Sequence, residues 1–186
     1  MMQYTPLHIP DVWVVTPQVF GDERGYFTET FRQEEFHEKV SSTPFVQENE
    51  SASRRGVLRG LHLQVECPQA KLVRCIYGSI IDVAVDLRPD SPHFGQHILR
   101  KLDDIKKEQL YIPRGFAHGF LVLSEWAIFS YKVDNRYAPE YECSLSPFDP
   151  ALGIDWELFG IPEDEFVQSS KDLRGISLDE YKQRYL

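Results

Sequence analysis

From Val57 to Val133 the chain repeats one pattern, an apolar run of strand length followed by a short link of Gly, Pro, Ser or charged residues. The runs are VLRGLHLQ (Val57–Gln64), KLVRCIYG (Lys71–Gly78), SIIDVAVDLR (Ser79–Arg88), Gln96–Leu102, LYIPRGFAHGFLVL (Leu110–Leu123) and WAIFSYKV (Trp126–Val133). No long stretch with a helical period interrupts them. Short strands at this spacing predict a mainly all-β chain, an antiparallel jelly-roll barrel with a few short peripheral helices. The 12 Pro and 11 Gly supply the turns such a chain needs. A length of 186 residues suits one domain, 1–186, able to bury its own core. The two-residue link Gly78–Ser79 reads as a hairpin, and Pro113–Gly115 as the turn of a strand pair.

The flanks are more broken. Residues 4–15 carry Pro6 and Pro10 and read as an edge strand. FGDERGYFTETF (Phe20–Phe31) reads as a turn at Gly21–Asp22 followed by an alternating strand. Arg32–Val40 has acids early and a lysine late, which predicts a short surface helix. Phe45–Ser51 is a further extended piece with Gln47 and Asn49 on one face, and Ser51–Gly56 reads as a turn or mobile loop. The tail from Asp134 is irregular until a closing helix at about 177–186, marked by a Ser177–Glu180 capping box.

Charge and cysteine usage narrow the function classes. The net charge of −9 argues against a nucleic acid or an anionic membrane as partner, since either calls for a basic face, while a locally basic pocket for a small anion remains open. Three cysteines without CxxC spacing predict neither a disulfide framework nor a zinc site. The sequence shows neither a secretory signal nor an 18-residue apolar stretch, so the expectation is a reduced, cytoplasmic protein.

Candidate chemistry gathers around VLRGLHLQ, where Arg59 and His62 interrupt an apolar run. A buried strand has no structural need for such groups, although a satisfied core histidine is the simplest reading of the stretch alone. His118, Lys71 and Tyr131 on other runs, and Glu142 in the tail, could converge with them inside such a barrel. A metal-dependent reading finds PRGFAH (Pro113–His118) as a PxGxxH motif. It lacks the His-x-His partner, because Leu63 and Gln64 follow His62, so no metal site is expected. The competing reading is metal-free proton transfer beside a carbonyl. That chemistry takes an imidazole base, an orienting carboxylate, an opposed acid and a cation for the enolate oxygen. His62, an Asp, Tyr131 and Lys71 are the right residue types. A core tyrosine is an equally good reading of Tyr131 at this level.

The blocks FGDERGYFTETF, FVQENES, GVLRGLHLQ, KLVRCIYGSIIDVAVDLR, YIPRGFAHGFLVL, YKVDNRYAPEYE, FDPALGIDW and SSKD run in order from Phe20 to Asp172. Together they resemble the dTDP-4-dehydrorhamnose 3,5-epimerases, a metal-free branch of the cupin jelly rolls. The resemblance implies a cofactor-independent isomerase that converts dTDP-4-dehydro-6-deoxy-D-glucose into dTDP-4-dehydro-L-rhamnose. It implies His62 as the base at C3 and C5, Asp172 as its partner, Tyr131 as the opposed acid, and Lys71 near the C4 oxygen. It places Arg59 and His118 along the sugar or phosphate, and Glu142 and Lys171 on ligand positions. Gln47, Glu48 and Asn49 match a nucleotide-contacting run, and Tyr137 an aromatic that stacks on thymine. Phe20, Arg24 and Glu29 match further substrate contacts. Arg24 and Glu29 come from a dimer partner's N-terminal strand, so the resemblance implies a homodimer with exchanged strands.

A regular strand puts Arg59 and His62 on opposite faces, although the resemblance sends both to one pocket. Gly60 between them predicts a bulge. The chain departs from the family pattern at Leu63, Arg114, Arg136, Pro147–Phe148 and Glu157. Two alternatives stay open at this level: an epimerase that inverts C3 alone, and a non-catalytic sugar-nucleotide-binding module on the same fold.

Overall fold

A computed structural model of the chain describes residues 2–186. The strands are β1 (Gln3–Pro6), β2 (Trp13–Thr16), β3 (Val19–Asp22), β4 (Gly25–Thr28), β5 (Gln47–Arg54), β6 (Leu58–Gln64) and β7 (Lys71–Tyr77). They continue as β8 (Ser79–Asp86), β9 (His97–Asp103), β10 (Gln109–Ile112), β11 (Phe116–Val122), β12 (Trp126–Val133) and β13 (Glu142–Ser144). Two α-helices are present, α1 (Gln33–Lys39) and α2 (Leu178–Tyr185). One sheet runs β1-β2-β10-β7-β12-β5, a second runs β13-β6-β11-β8-β9, and β3-β4 form a separate hairpin. All ladders between these strands are antiparallel, as the strand spacing predicted.

The two sheets face each other across a core in which Val73, Cys75, Leu110 and Phe129 of one meet Ile80, Ala84, Phe116 and Phe120 of the other. The second sheet is covered on its outer face too. There Leu61, Leu63, Ile81, Val83 and Leu121 pack against Leu152, Trp156, Leu178 and Tyr181 of the tail. Burial on both faces explains why β8 reads as a nearly continuous apolar run. Each fully buried large aliphatic side chain contributes about 1.5–3 kcal/mol, enough in sum to fasten an irregular tail. The closing helix begins where expected, and both halves of the Ser177–Glu180 capping box form.

Four local expectations change. Gly78–Ser79 is not a hairpin, since β7 and β8 lie in different sheets; it is a corner, and so is the Pro113–Gly115 link between β10 and β11. A Cβ at Gly78 would lie 2.1 Å from the Trp126 carbonyl oxygen, and φ is +80°, so the corner demands glycine. Ser51–Arg54 continues β5 against Trp126–Phe129 of β12 instead of forming a loop. The N-terminal hairpin turns at Glu23–Arg24, because Gly21 and Asp22 are paired with Tyr26 and Gly25. The Asp22 carboxylate there accepts the Arg24 backbone N–H at 2.9 Å, a local turn bond that composition alone did not separate from the Gly21–Asp22 option.

Candidate active site

Opposite His118 the β6 ladder slips. His62 pairs with His118 and Arg59 with Phe120, so three steps on β6 match two on β11. The extra residue lies at Gly60, whose φ is +117° and where a Cβ would sit 2.7 Å from the Gly119 Cα. The slip sends Leu58, Leu61 and Leu63 into the tail-side core and turns Arg59 and His62 into one cavity. The bulge expected from the sequence is there.

That cavity, of about 360 Å³, opens between the sheets and is lined by side chains from β5, β6, β7, β11 and β12. Odd-numbered positions of β12 face inward, so Tyr131 shares its face with the core residues Ala127 and Phe129. Lys71 shares the inward face of β7 with Val73 and Cys75, which settles the orientation of that strand. Glu142 reaches the cavity from β13, a strand too short to show in the sequence pattern.

His62 Nε2 stands 2.5 Å from Asp172 Oδ1, with the histidine side chain 30% exposed and the carboxylate 5%. The tautomer that fits this contact donates Nε2–H to the carboxylate and leaves the Nδ1 lone pair free. Burial acts to raise the Asp172 carboxyl, but hydrogen bonds from His62 and Ser169 outweigh it and hold the group down at about 2. Across the ladder His118 Nε2 lies 2.9 Å from Asp82 Oδ2, and both side chains are buried. Burial pushes the His118 imidazole down despite the pull of Asp82. Asp82 shares the inward face of β8 with Ile80 and Ala84, and its Oδ1 has no hydrogen-bond partner among the described residues. Burial also brings the Lys71 ammonium down to about 8, with Asp82 and Glu142 pulling the other way. It is still mostly a cation at neutral pH. Burial raises the Tyr131 phenol, a hydrogen bond with Asn49 opposes this, and Glu142 adds to the rise. Tyr131 is therefore a protonated acid.

The mouth is built from the other candidates. Gln47 Nε2 donates to Asn49 Oδ1 at 2.9 Å, and both line the cavity. Glu48 does not. It points to the opposite face of β5, where it accepts from Lys132 at 2.6 Å and Ser130 at 3.0 Å. The period-2 alternation of the strand accounts for this. Arg59 donates to Ser53 Oγ at 3.1 and 2.9 Å. Tyr137 OH donates to Glu142 at 2.5 Å, and Lys171 pairs with the same carboxylate oxygen. The Tyr137 segment is clamped by the buried Gln64, which donates to the Arg136 carbonyl at 3.3 Å and accepts the Ala138 N–H at 2.9 Å.

Phe20, Arg24 and Glu29 stay away from this cavity within one chain. Arg24 pairs with Asp22 and Glu29 with Arg32, while Phe20 is exposed on the β3-β4 hairpin. The sequence reading also passed over Asp82, Gln64 and Ser169. For Asp82 the signal was present, as a carboxylate at an inward position of an apolar strand.

No three His, Cys, Asp or Glu side chains among the described residues are grouped to hold a metal ion. Among the same residues no helix is long and apolar enough to cross a membrane. The arrangement can move protons: an exposed imidazole backed by a carboxylate, a phenol and an ammonium share one cavity.

The comparisons with known proteins agree with this chemistry. Residues 6–180 match the family model described as dTDP-4-dehydrorhamnose 3,5-epimerase. The dTDP-4-dehydrorhamnose 3,5-epimerase of Pseudomonas aeruginosa is 50% identical over 94% of each chain. That of Salmonella typhimurium is 48% identical over 97% of each. Among solved structures, dTDP-6-deoxy-D-glucose-3,5-epimerase RmlC from Legionella pneumophila Philadelphia 1, in complex with dTDP-4-keto-L-rhamnose, superposes with a TM-score of 0.94. It is 41% identical, and the match covers 100% of this chain and 97% of that one. With the jelly roll, the bulged β6 and the His62–Asp172 pair already in place, the match over nearly the whole chain makes this protein a member of the dTDP-4-dehydrorhamnose 3,5-epimerase family.

Proposed function

We infer that the chain is a cofactor-independent isomerase that inverts C3 and C5 of dTDP-4-dehydro-6-deoxy-D-glucose to give dTDP-4-dehydro-L-rhamnose. The observation that carries the reading is the paired His62 at the edge of a cavity that also holds Tyr131 and Lys71. His62 Nδ1 takes the proton from the carbon beside the C4 ketone, and the electron pair moves onto the C4 oxygen as an enolate. Lys71 stabilises that oxygen as a nearby cation. Tyr131 returns a proton from the opposite face, which inverts the centre; its phenolate then regains a proton from solvent and His62 gives up the one it took. Repetition at the second carbon completes the double inversion. Asp172 holds the tautomer and offsets the charge that develops on His62.

Arg59, His118, Gln47, Asn49, Tyr137, Glu142 and Lys171 are assigned to the sugar diphosphate and the base, with Tyr137 stacking on thymine. The Glu142–Tyr137 and Glu142–Lys171 contacts lie across the mouth, so these groups exchange partners when substrate enters. The unit that works is a homodimer in which the N-terminal segment of each 1–186 domain brings Phe20, Arg24 and Glu29 to its partner's cavity. In support, Phe20, Tyr26 and Phe27 are 54%, 60% and 69% exposed on a hairpin that packs in neither sheet. An isolated hairpin of that kind is marginal in water without a covering surface. A reducing, cytoplasmic setting accords with three free cysteines.

Incubation with dTDP-4-dehydro-6-deoxy-D-glucose and proton NMR of the product tests the reading. The expected product is inverted at C3 and C5. Inversion at C3 alone reduces the activity to mono-epimerisation, and tight binding with an unchanged sugar leaves only a binding module.

A further inference from the structure

The loop that carries Asp172 is pinned at both ends. At its start Val167 N–H donates to Gly56 O at 2.9 Å, and at its end Ile176 N–H donates to Ser144 O at 2.8 Å. Between the pins, Ser169 and Asp172 bond to each other in both directions. The Ser169 hydroxyl donates to Asp172 Oδ2 at 2.7 Å, and the Asp172 N–H donates to Ser169 Oγ at 3.2 Å. A hydroxyl has one proton and two lone pairs, so both bonds are compatible. The backbone bond closes the turn. The hydroxyl proton does something else, because it engages the one carboxylate oxygen that His62 does not use.

We propose that Ser169 is a positioning residue for the epimerisation, the outer member of a Ser169–Asp172–His62 relay that fixes the carboxylate plane and aims Oδ1 at the imidazole. The proposal rests on the assignment of His62 as the base. A buried carboxylate with one free oxygen can rotate about its terminal bond, and the imidazole then loses its fixed tautomer. Ser169 removes that freedom. It also stabilises the ionised carboxylate in a site where burial opposes ionisation. By analogy with the outer partners of metal-bound histidines, loss of such a group is worth about tenfold or more.

The ionised Asp172 carboxylate is the form that holds the imidazole, and the Ser169 hydroxyl favours that form against burial. The charged and titratable groups around the pair are Glu142 on β13, bridged to Lys171, together with Lys71 on β7 and His118 on β11. Ser169→Ala leaves these in place and withdraws one donor from the carboxylate, so Asp172 binds a proton more readily. The acid limb of the kcat–pH profile therefore moves to higher pH.

The test compares Ser169→Ala and Ser169→Thr with wild type in kcat, KM and kcat–pH profile, and in the downfield proton resonance of the His62 Nε2–H. Ser169→Ala is expected to lose about tenfold in kcat at neutral pH, with KM within about twofold, an acid limb at higher pH and a shifted imidazole resonance. Ser169→Thr, which keeps the hydroxyl, restores all of these. A wild-type pH profile and resonance in Ser169→Ala, even with lowered thermal stability, assigns Ser169 to the turn alone and overturns the proposal. Should Ser169→Ala not fold, Ser169→Cys keeps a weaker donor. An intermediate acid limb then supports the relay, and a wild-type limb overturns it. If the wild type neither epimerises nor exchanges substrate protons, the functional reading fails by itself. The resonance still reports whether Ser169 holds the dyad.

Discussion

Two histidine–aspartate pairs sit across one antiparallel ladder, and they differ most in their access to the cavity. His62 and His118 are register partners, and each aims Nε2 at a carboxylate oxygen. The His62 side chain is 30% exposed to the cavity mouth, whereas His118 is 7% exposed and rests against Phe129. The same pairing chemistry therefore yields two different groups. One imidazole opens on the cavity mouth and, in the proposed reaction, has a carboxylate to balance the charge it acquires. The other is held neutral by burial at the cavity floor. On the proposed assignment, access to the cavity, more than the dyad itself, distinguishes the base. The bulge at Gly60 provides that access by turning β6 one step.

This contrast predicts unequal responses to equivalent substitutions. The largest effect is expected for His62→Ala, with turnover down ~10²–10⁴ and the urea midpoint close to wild type. Tyr131→Phe is expected to lose a comparable factor in inversion while retaining exchange of substrate protons with solvent. Abstraction by His62 needs no phenol, so the two readouts separate in NMR. On the buried side, Asp82→Ala strands His118 in the core. A loss of ~1–3 kcal/mol in urea denaturation is expected, larger than the stability change from His62→Ala. If both substitutions gave the same division between stability and turnover, the contrast would collapse.

Gly60→Ala sharpens the comparison from the backbone. A Cβ there meets Gly119 Cα at 2.7 Å and His118 O at 2.8 Å, so the ladder must open or the bulge must shift. A loss of ~1–3 kcal/mol is expected by thermal or urea denaturation, together with weakened substrate binding as Arg59 leaves the shared face. The smallest effect is a pH dependence. The Lys71 cation loses its proton as pH rises through about 8, so the rate is expected to fall on the alkaline side. Asp82 pulls the Lys71 pKa upward, so Asp82→Asn moves that fall to lower pH, whereas Asp172→Asn does not. An alkaline limb unchanged in Asp82→Asn would detach Lys71 from the buried pair.

Much of this was legible in the residues. Alternation gave the strands, the capping box gave the closing helix, and a glycine between an arginine and a histidine that belong in one pocket gave the bulge. Sheet membership was not legible, because period 2 tells which residues share a face and not which sheet a strand joins. Gly78–Ser79 therefore read as a hairpin when it is a corner between sheets. Ser51–Arg54 was hidden by its polar, small residues, whose pairing partners on β12 lie far away in sequence. Glu48 shows the opposite failure: alternation already put it off the Gln47 and Asn49 face, and the motif match outweighed that signal. Asp82 was written inside an apolar strand at inward parity, but its partner His118 is known only once β8 and β11 are seen to be neighbours.

The central claim is that the exposed imidazole, and not the buried one, removes the substrate protons. Incubation of wild type and His62→Ala with dTDP-4-dehydro-6-deoxy-D-glucose in D2O, followed by NMR, tests it directly. Wild type should incorporate deuterium at both C3 and C5, and His62→Ala should incorporate it at neither on the same timescale. Exchange by His62→Ala at close to the wild-type rate would contradict the account.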